Sequence, residues 1–254
     1  MVNFMGTAGE EIYRLNKYLS MAGVCSRREA DRAILDKRVT VNGSLALAGT
    51  RVRPGDTVCF DGKVISLAEP VVLLLFHKPR GIVCSTKQQF DEVTVTDYIR
   101  YPCRIYPVGR LDKDSEGLLL LTNQGELMNR ILKAENHHEK EYLVTLDRPF
   151  DDQFLAHMRK GVPILSTVTR PCTVQRLSAN RFRIILTQGL HRQIRRMCSY
   201  LGYQVVKLKR VRIMNIKLGA LPCGSYREAT AEEMKELLIE ANVSPVPVEK
   251  RMGG

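Results

Sequence analysis

The first part of the chain combines two helical patterns with short β-branched runs. Four apolar residues fall on one face of a predicted helix that ends at Gly23: Leu15, Tyr18, Leu19 and Ala22. Residues 26–29, Ser-Arg-Arg-Glu, have the pattern of a capping box and predict a second helix. The runs that follow are separated by Asn-Gly, Pro-Gly and Asp-Gly turns, which are typical of short paired strands. Residues 12–66 are therefore predicted to form a small α/β domain.

A different pattern begins after residue 70, where short apolar runs alternate with amphipathic segments. The apolar runs predict strands at 71–76, 82–84 (as the partner of the first), 104–108, 118–121, 141–146, 181–187 and 205–213. The amphipathic segments predict helices at 95–100, 127–132, 151–160, 192–201 and 231–240. Residues 71–241 are thus predicted to be a larger α+β domain, with a mixed, mostly antiparallel sheet and flanking helices. Residues 242–254 are predicted to be a flexible tail.

The charge distribution indicates a polyanionic partner. The chain has 254 residues and a formal net charge of +12. Residues 181–217 contain ten Lys or Arg residues and no Asp or Glu, whereas a solvated face normally mixes both signs. Because no amphipathic helix carries the aromatic face of a membrane binder, RNA or DNA is the favoured partner.

Several classes of protein are excluded by motifs that the chain lacks. Phosphate loops, dinucleotide fingerprints, serine-hydrolase elbows and zinc-protease motifs are all absent. The seven cysteines lack metal-ligand spacing, and His137 and His138 are adjacent, so they cannot share one strand face. We therefore expect no metal and no cofactor. Because the chain shows no secretory signal and no apolar run of membrane-spanning length, a cytoplasmic location is the default expectation.

The segment most suggestive of chemistry is a polar loop between two predicted strands. Residues 109–119 read Gly-Arg-Leu-Asp-Lys-Asp-Ser-Glu-Gly-Leu-Leu, so glycines bracket carboxylates and cations. A charged surface turn is the simplest interpretation. Two features oppose it, because Leu111 requires burial inside the loop and the flanking strands look like interior strands. The loop is therefore expected to rise directly from the core.

This loop resembles the active-site signature of the pseudouridine synthases. Further similarities occur in the order expected for that family, at 78–81 (Lys-Pro-x-Gly), 140–144 (Lys-Glu-Tyr-Leu-Val) and 189–197 (Gly-Leu-x-Arg-Gln-Ile-Arg-Arg-Met). The resemblance covers about residues 13–238 and is strongest to the group that modifies ribosomal RNA and carries an S4 domain. Within that group, stretches 138–145, 161–165 and 212–215 are most similar to the F-type large-subunit synthases.

The N-terminal module resembles the S4 RNA-binding domain over nearly its whole length. The similar stretches are Arg-Leu-Asn-Lys-Tyr-Leu, Cys-Ser-Arg-Arg-Glu-Ala-Asp, Val-Asn-Gly and Val-Arg-Pro-Gly-Asp. In that family the second helix and its adjoining loop present basic residues to RNA phosphates. The resemblance implies that five residues contact RNA: Arg14, Lys17, Arg27, Arg28 and Arg32. Such contacts would position RNA without reading its sequence.

The family resemblance also implies a role for each candidate active-site residue. Asp112 would be the catalytic carboxylate, acting as a nucleophile at the sugar or as a base in a glycal-type route. In a site that excludes water, this carboxylate needs a compensating charge, for which Arg195 is the candidate. Tyr142 would place its ring against the uracil. The remaining candidates would bind RNA: Arg110, beside an extruded base, and Arg192, Arg196, Lys207, Lys209 and Arg210, on phosphates.

Three functional hypotheses follow from these observations. The first is site-specific isomerisation of uridine to pseudouridine in large-subunit ribosomal RNA, without a cofactor. The second keeps the reaction but places it on tRNA, because similar basic surfaces would bind either RNA. The third is an assembly factor that binds ribosomal RNA without chemistry, and the complete set of Asp112, Tyr142 and Arg195 speaks against it. A monomer without membrane contact is expected.

Overall fold

The chain folds into two compact units whose boundary lies between Val71 and Val72. The structure is a computed structural model and describes residues 12–66, 71–85, 92–132 and 137–241. The domain limits predicted from the sequence, 12–66 and 71–241, stay predictions. The predicted tail at 242–254 lies outside the described residues.

Within residues 12–66, the first unit has two short helices and six short strands. The helices are α1 (Leu15–Met21) and α2 (Arg27–Leu35). The strands are β1 (Tyr13–Arg14), β2 (Val39–Val41), β3 (Ser44–Leu45), β4 (Arg51–Val52), β5 (Val58–Phe60) and β6 (Lys63–Ile65). Four of them form an antiparallel sheet in the order β3-β2-β5-β6, while β1 pairs with β4.

Local sequence signals explain how this unit folds. The capping box predicted before α2 is confirmed, because Ser26 and Glu29 each accept a hydrogen bond from the other's backbone N–H. Asn42 and Gly43 both have positive φ angles, 51° and 79°, as the tight turn between β2 and β3 requires. Leu15, Tyr18 and Leu19 are buried in the core, whereas Ala22 lies past the helix end and is only partly buried.

The second unit contains a large sheet with helices on both sides. Its strands are β7 (Leu73–Lys78), β8 (Tyr106–Val108), β9 (Glu116–Thr122), β10 (Lys140–Leu146), β11 (Pro163–Ile164), β12 (Thr167–Val168), β13 (Thr173–Ser178), β14 (Arg181–Leu186), β15 (Val205–Ile213), β16 (Ile216–Lys217) and β17 (Tyr226–Glu228). Its helices are α3 (Val95–Ile99), α4 (Gly125–Leu132), α5 (Asp152–Lys160), α6 (Gln193–Tyr200) and α7 (Ala231–Glu240).

The sheet is mixed and mostly antiparallel, as predicted from the sequence. Its strand order within the described residues is β13-β14-β10-β15-β9-β7-β17, with β8 on β9 and β16 on β15. The β9–β15 pair is parallel, and the other pairs are antiparallel. This parallel pair joins Lys209 to Glu116 and Arg210 to Gly117. It therefore connects the strand that follows the polar loop to the basic strand β15.

The two halves of this sheet are covered differently. Around β7 and β9, one core cluster includes residues of α4 and α7, and a second cluster on the other side includes residues of α3. Around β14, β10 and β15, a third cluster packs the sheet against α5 and α6. The alternating burial of β14, from Phe182 to Leu186, reflects a strand with one covered side and one more exposed side.

One predicted strand pairing is wrong. Residues 82–84 were expected to form a hairpin with the first strand, but Val83 makes only an isolated parallel bridge to Thr94. The partners of β7 are β9 and β17, which lie much further along the chain. The physical reason is that the backbone N–H of Gly81 donates to the carbonyl of Lys113, so this segment supports the polar loop instead of extending the sheet.

Candidate active site

A cleft of about 310 Å³ opens above the polar loop and the middle of the sheet. The loop contributes residues 108–112 and Ser115 to its wall. The opposite wall is formed by residues 186–194, which lead from β14 into α6. The side chains of Lys140, Tyr142, Leu208 and Arg210 rise from β10 and β15, and Leu132 at the end of α4 completes the lining. The cleft thus gathers residues from five segments of the chain.

Asp112 lies on a turn that is closed by its own backbone. The N–H of Ser115 donates to the carbonyl of Asp112 at 3.0 Å. Leu111 is 6% exposed and packs into the core beneath the loop, as the sequence predicted. The Asp112 side chain is itself 31% exposed. The expectation of a water-excluded carboxylate is therefore not met in this open cleft, and the side chain is accessible to a ligand.

The loop that carries Asp112 is fixed by side chains from several directions. The Leu111 N–H donates to Cys84 Sγ at 3.4 Å. Arg195 donates to the Asp114 carbonyl and to Ser115 Oγ, both at 3.3 Å. Ser115 is 1% exposed, so this contact holds the buried side of the loop. Such supporting contacts keep a reactive side chain in place before a ligand arrives.

Arg210 corrects one prediction, because its side chain is 3% exposed and cannot bind phosphate on the surface. Its Nε donates to the Leu118 carbonyl at 2.7 Å, and its Nη1 donates to the Arg110 carbonyl at 3.4 Å. These two carbonyls lie on either side of Asp112 in the sequence. Alternation along β15 places Arg210 on the covered side with Leu208, away from Lys207 and Lys209. Arg210 is therefore a support for the loop.

The charge partner of Asp112 also differs from the prediction. Arg192 Nη1 lies 3.6 Å from Asp112 Oδ2 and 3.7 Å from Asp114 Oδ2, so Arg192 pairs with both carboxylates. Arg192 precedes α6 with a left-handed φ of 52°, which turns its backbone at the helix start. Arg195 instead reaches the backbone of the loop and the Val205 carbonyl. Burial and the charge of Arg192 lower the pKa of Arg195, while Asp112 and Asp114 raise it.

Tyr142 occupies the middle of the cleft floor. It is half-buried and packs against two core clusters, one on the α6 side and one on the α3 side. Its cross-strand neighbours are Ile184 on β14 and Arg210 on β15. The ring is thus held from both sides while it still lines the cleft. This arrangement suits an aromatic ring that contacts a planar base.

Two lysines, Lys78 (buried) and Lys140 (partly buried), were missed as possible contributors to the site, although both lie in the motifs that matched the family. Lys78 is fully buried, and burial lowers its pKa while the charges of Asp112 and Asp114 oppose that shift. Lys140 lines the cleft, and burial together with the charge of Arg210 lowers its pKa. Their positions within those motifs were the sequence signal by which they could have been found. Both side chains donate to nearby backbone carbonyls, of Pro79 and His138 respectively.

The other predicted RNA-binding residues occupy three surfaces. In the first unit, Arg14 and the α2 arginines (Arg27, Arg28 and Arg32) are exposed, while Lys17 is half-buried with its Nζ 4.8 Å from the centroid of the Tyr13 ring. In the second unit, Arg110 is exposed at the cleft, and Arg196 is exposed with its Nε donating to the His191 carbonyl. Lys207 and Lys209 point to the other side of the sheet.

The described residues contain no candidate metal-binding cluster and no candidate membrane-spanning helix. No group of three or more His, Cys, Asp or Glu side chains in those ranges is placed to coordinate a metal. Every helix in the described ranges is too short or too polar to cross a bilayer.

Two family descriptions match the chain. The description of RNA pseudouridylate synthases matches residues 72–200, which include Asp112, Tyr142 and Arg195. The description of the S4 domain matches residues 14–58. The first match contains every segment that lines the cleft except the strand that carries Leu208 and Arg210.

Individual relatives are similar over most of their length. Dual-specificity RNA pseudouridine synthase RluF from Escherichia coli (strain K12) is 50% identical over 237 residues, which are 92% of this chain and 81% of that protein. Ribosomal large subunit pseudouridine synthase B from Bacillus subtilis (strain 168) is 34% identical and matches 88% of this chain and 95% of that protein. A solved pseudouridylate synthase structure has a TM-score of 0.66 at 30% identity, and the match covers 89% of this chain and 99% of that one.

Proposed function

The chain belongs to the RNA pseudouridylate synthase family and is an RNA uridine isomerase, and we propose that Asp112 initiates its reaction on large-subunit ribosomal RNA. The observation that carries the assignment of Asp112 is its position on a braced loop, in the same cleft as Tyr142 and Arg192. A protein that only binds RNA has no need for an accessible carboxylate held in this way. The relatives named above support the choice of ribosomal RNA, since one of them is named for the large ribosomal subunit.

The reaction requires little beyond this set of residues. The bond between ribose C1′ and uracil N1 breaks, the base turns, and C1′ bonds to C5, so N1 gains a proton and C5 loses one. We propose that the carboxylate of Asp112 acts on the sugar, either as a nucleophile at C1′ or as a base that leads to a glycal. The net change is an isomerisation, in which no atom is oxidised or reduced.

The neighbouring residues have separate proposed roles. Arg192 lies beside the carboxylates of Asp112 and Asp114 and offsets part of their negative charge at the cleft. Tyr142 holds the uracil against its ring. Arg195 positions the loop through the Asp114 carbonyl and Ser115 Oγ. Its guanidinium also interacts electrostatically with the Asp112 carboxylate. Arg110 is exposed at the rim, where it can contact the RNA from which the uridine is extruded.

Isomerisation by the purified protein tests this proposal. Unmodified transcripts of bacterial 23S ribosomal RNA, 16S ribosomal RNA and tRNA are incubated separately with the protein, and pseudouridine is located by carbodiimide labelling and primer extension. We expect pseudouridine at a small number of positions in the 23S transcript and none in the 16S transcript. Tyr142→Phe and Arg195→Gln are expected to act more slowly on the same positions. Modification of the tRNA alone would reject the proposed substrate, and no modification of any RNA would reject the function.

The three arginines on α2 are predicted to bind RNA phosphates through the S4 domain. Arg27, Arg28 and Arg32 are all exposed, and the capping box at Ser26 fixes the start of the helix that carries them. Changing all three to Gln is expected to weaken binding of 23S ribosomal RNA at least tenfold. The slope of log Kd against log salt concentration is expected to fall by about 2 to 3, because each lost phosphate contact removes about 0.7 to 0.9.

A matched variant controls for the loss of three charges. Lys37, Arg53 and Lys63 are exposed cations of the same unit that lie outside α2. Changing these three to Gln is expected to alter the affinity less than threefold. Equal losses of affinity in the two triple variants would show that α2 has no particular role in RNA binding.

A further inference from the structure

Among the described residues of the second unit, no helix packs on the part of the β14, β10 and β15 surface that lies opposite the catalytic cleft. Along β14, β10 and β15, alternate residues are buried against α5 and α6, including Phe182, Val144 and Leu208. The intervening residues point the other way, and no described element buries them fully. This surface and the cleft are therefore the two sides of the same strands, which explains why neighbouring residues such as Tyr142 and Leu143 line different cavities.

A groove of about 410 Å³ follows this surface and has basic walls. It is lined by Leu143, Thr145, Arg181, Lys207 and Lys209, and we call it the basic groove. None of these five residues lines the catalytic cleft.

The strand register shows how the groove is built. Thr145 on the central strand β10 is paired with Arg181 on one side and Lys207 on the other. Leu143, two residues earlier, is paired in the same way with Arg183 and Lys209. Neutral side chains thus form the floor, and two cations stand along each wall. The walls are about 10 Å apart, which is twice the spacing of neighbouring strands.

Two of the four cations along the groove have no acidic partner among the described residues. Arg181 and Lys209 make no ion pair with any described residue, while Lys207 lies 3.3 Å from Glu116. Arg183 has a contact of 3.5 Å with Glu141, whose other oxygen accepts from Arg212 at 2.9 Å. Glu141 and Arg212 form an ion pair at one end of the groove. Arg181, Lys207 and Lys209 lie further along it, beside Leu143 and Thr145.

We propose that the basic groove binds the phosphodiester backbone of the RNA substrate, at a segment separate from the uridine in the cleft. Lys207 and Lys209 are two residues apart on one strand, so their Cα atoms are about 7 Å apart, close to the separation of successive phosphates along a nucleic-acid strand. A neutral floor between two rows of cations suits a phosphate backbone that runs along β10. The inference rests on RNA being the substrate, but it does not depend on which uridine is isomerised.

A triple variant tests the groove without altering the cleft. Arg181→Gln, Lys207→Gln and Lys209→Gln are combined, and binding of 23S ribosomal RNA is measured over a range of salt concentrations. We expect the affinity to fall at least tenfold and the salt slope to fall by about 2 to 3. The variant is expected to modify the same positions of the RNA as the wild-type protein, because the changed side chains lie on the side of the sheet opposite the cleft.

A matched variant in the same unit controls for the lost charge. Arg100, Lys160 and Lys235 are exposed cations that lie away from β10, β14 and β15. Their combined change to Gln is expected to alter the affinity less than threefold. Wild-type affinity in the groove variant, or a loss no greater than that of this control, would overturn the proposal and would leave an acidic protein as the alternative occupant.

Chemical protection provides a second measurement that does not depend on a variant. We expect 23S ribosomal RNA to protect Lys207 and Lys209 of the wild-type protein from acetylation, while Lys160 and Lys235 stay reactive. Equal reactivity of all four lysines in the complex would also overturn the proposal. If the wild-type protein neither binds nor modifies ribosomal RNA, the proposed function fails; if it does both and the groove variant behaves like wild type, only the groove fails.

Discussion

Replacing Asp112 with Asn is expected to lower the single-turnover rate of pseudouridine formation by on the order of a thousandfold or more, because the amide can act neither as a nucleophile nor as a base. The side chains are nearly equal in size, so the braced loop should keep its shape. RNA affinity should change less than threefold, since the carboxylate lies beside Arg192 and the variant removes a negative charge from a surface that binds phosphate.

Asp114→Asn is the matched control for this variant. Asp114 lies two residues further along the same loop and pairs with the same arginine, at 3.7 Å, but its side chain is 67% exposed. Removing its charge should leave more than a tenth of the wild-type rate. If Asp112→Asn also retains more than a tenth of that rate on the same RNA, Asp112 is not the residue that starts the reaction.

Gly117→Ala is expected to lower the stability of the second unit by about 3 kcal/mol or more. Gly117 has a φ of 116°, which L side chains rarely adopt, and a Cβ there would lie 2.2 Å from the carbonyl oxygen of Arg210. That contact is with backbone, so it can be relieved only by separating β9 from β15. The same movement would displace Arg210, which supports the Asp112 loop, and activity should fall together with stability.

Thermal unfolding and isomerisation assays measure this effect. The melting temperature of the second unit is expected to fall by about 10 °C, given the usual relation between stability and melting temperature for a domain of this size. Gly125→Ala is the control, because Gly125 has no positive φ and a Cβ there meets nothing within 4 Å. A melting temperature within about 2 °C of wild type for Gly117→Ala would contradict the close approach of the two strands.

Local patterns predicted most of the helices and strands because their signals act over a few residues. The limits of β15 and α7 were predicted as observed, at 205–213 and 231–240, and the capping box predicted at residues 26–29 is formed. The strand β13 was missed. Val174 is the one fully buried residue of this strand. Its sequence therefore lacks the regular alternation of apolar and polar residues that indicates a half-buried strand.

Pairing between distant segments could not be predicted in the same way. Residues 82–84 follow β7 closely and looked like its partner, yet β7 pairs with β9 and with β17, about 150 residues away by residue number. The choice depends on which strands complete the core and on the hydrogen bond from Gly81 to Lys113. Neither is encoded in a local pattern.

The candidate site was likewise predicted where its signals are local and missed where they depend on the fold. The motif around Asp112 and the position of Tyr142 were evident from the sequence, and both residues line one cleft. The roles of the arginines were harder to assign, because charge alone does not reveal direction. Alternation along β15 could have separated the buried Arg210 from Lys207 and Lys209. The left-handed backbone of Arg192, which turns it toward Asp112, has no signal in a sequence without glycine at that position.

A map of pseudouridine in ribosomal RNA and tRNA, from cells with and without this gene, shows directly whether the protein isomerises uridine in large-subunit ribosomal RNA through Asp112. We expect at least one position in 23S ribosomal RNA to lose its pseudouridine without the gene. Wild-type protein should restore that position, and the Asp112→Asn protein, produced at the same level, should not. A map with no lost position in any RNA, or a lost position that Asp112→Asn restores, would contradict this expectation.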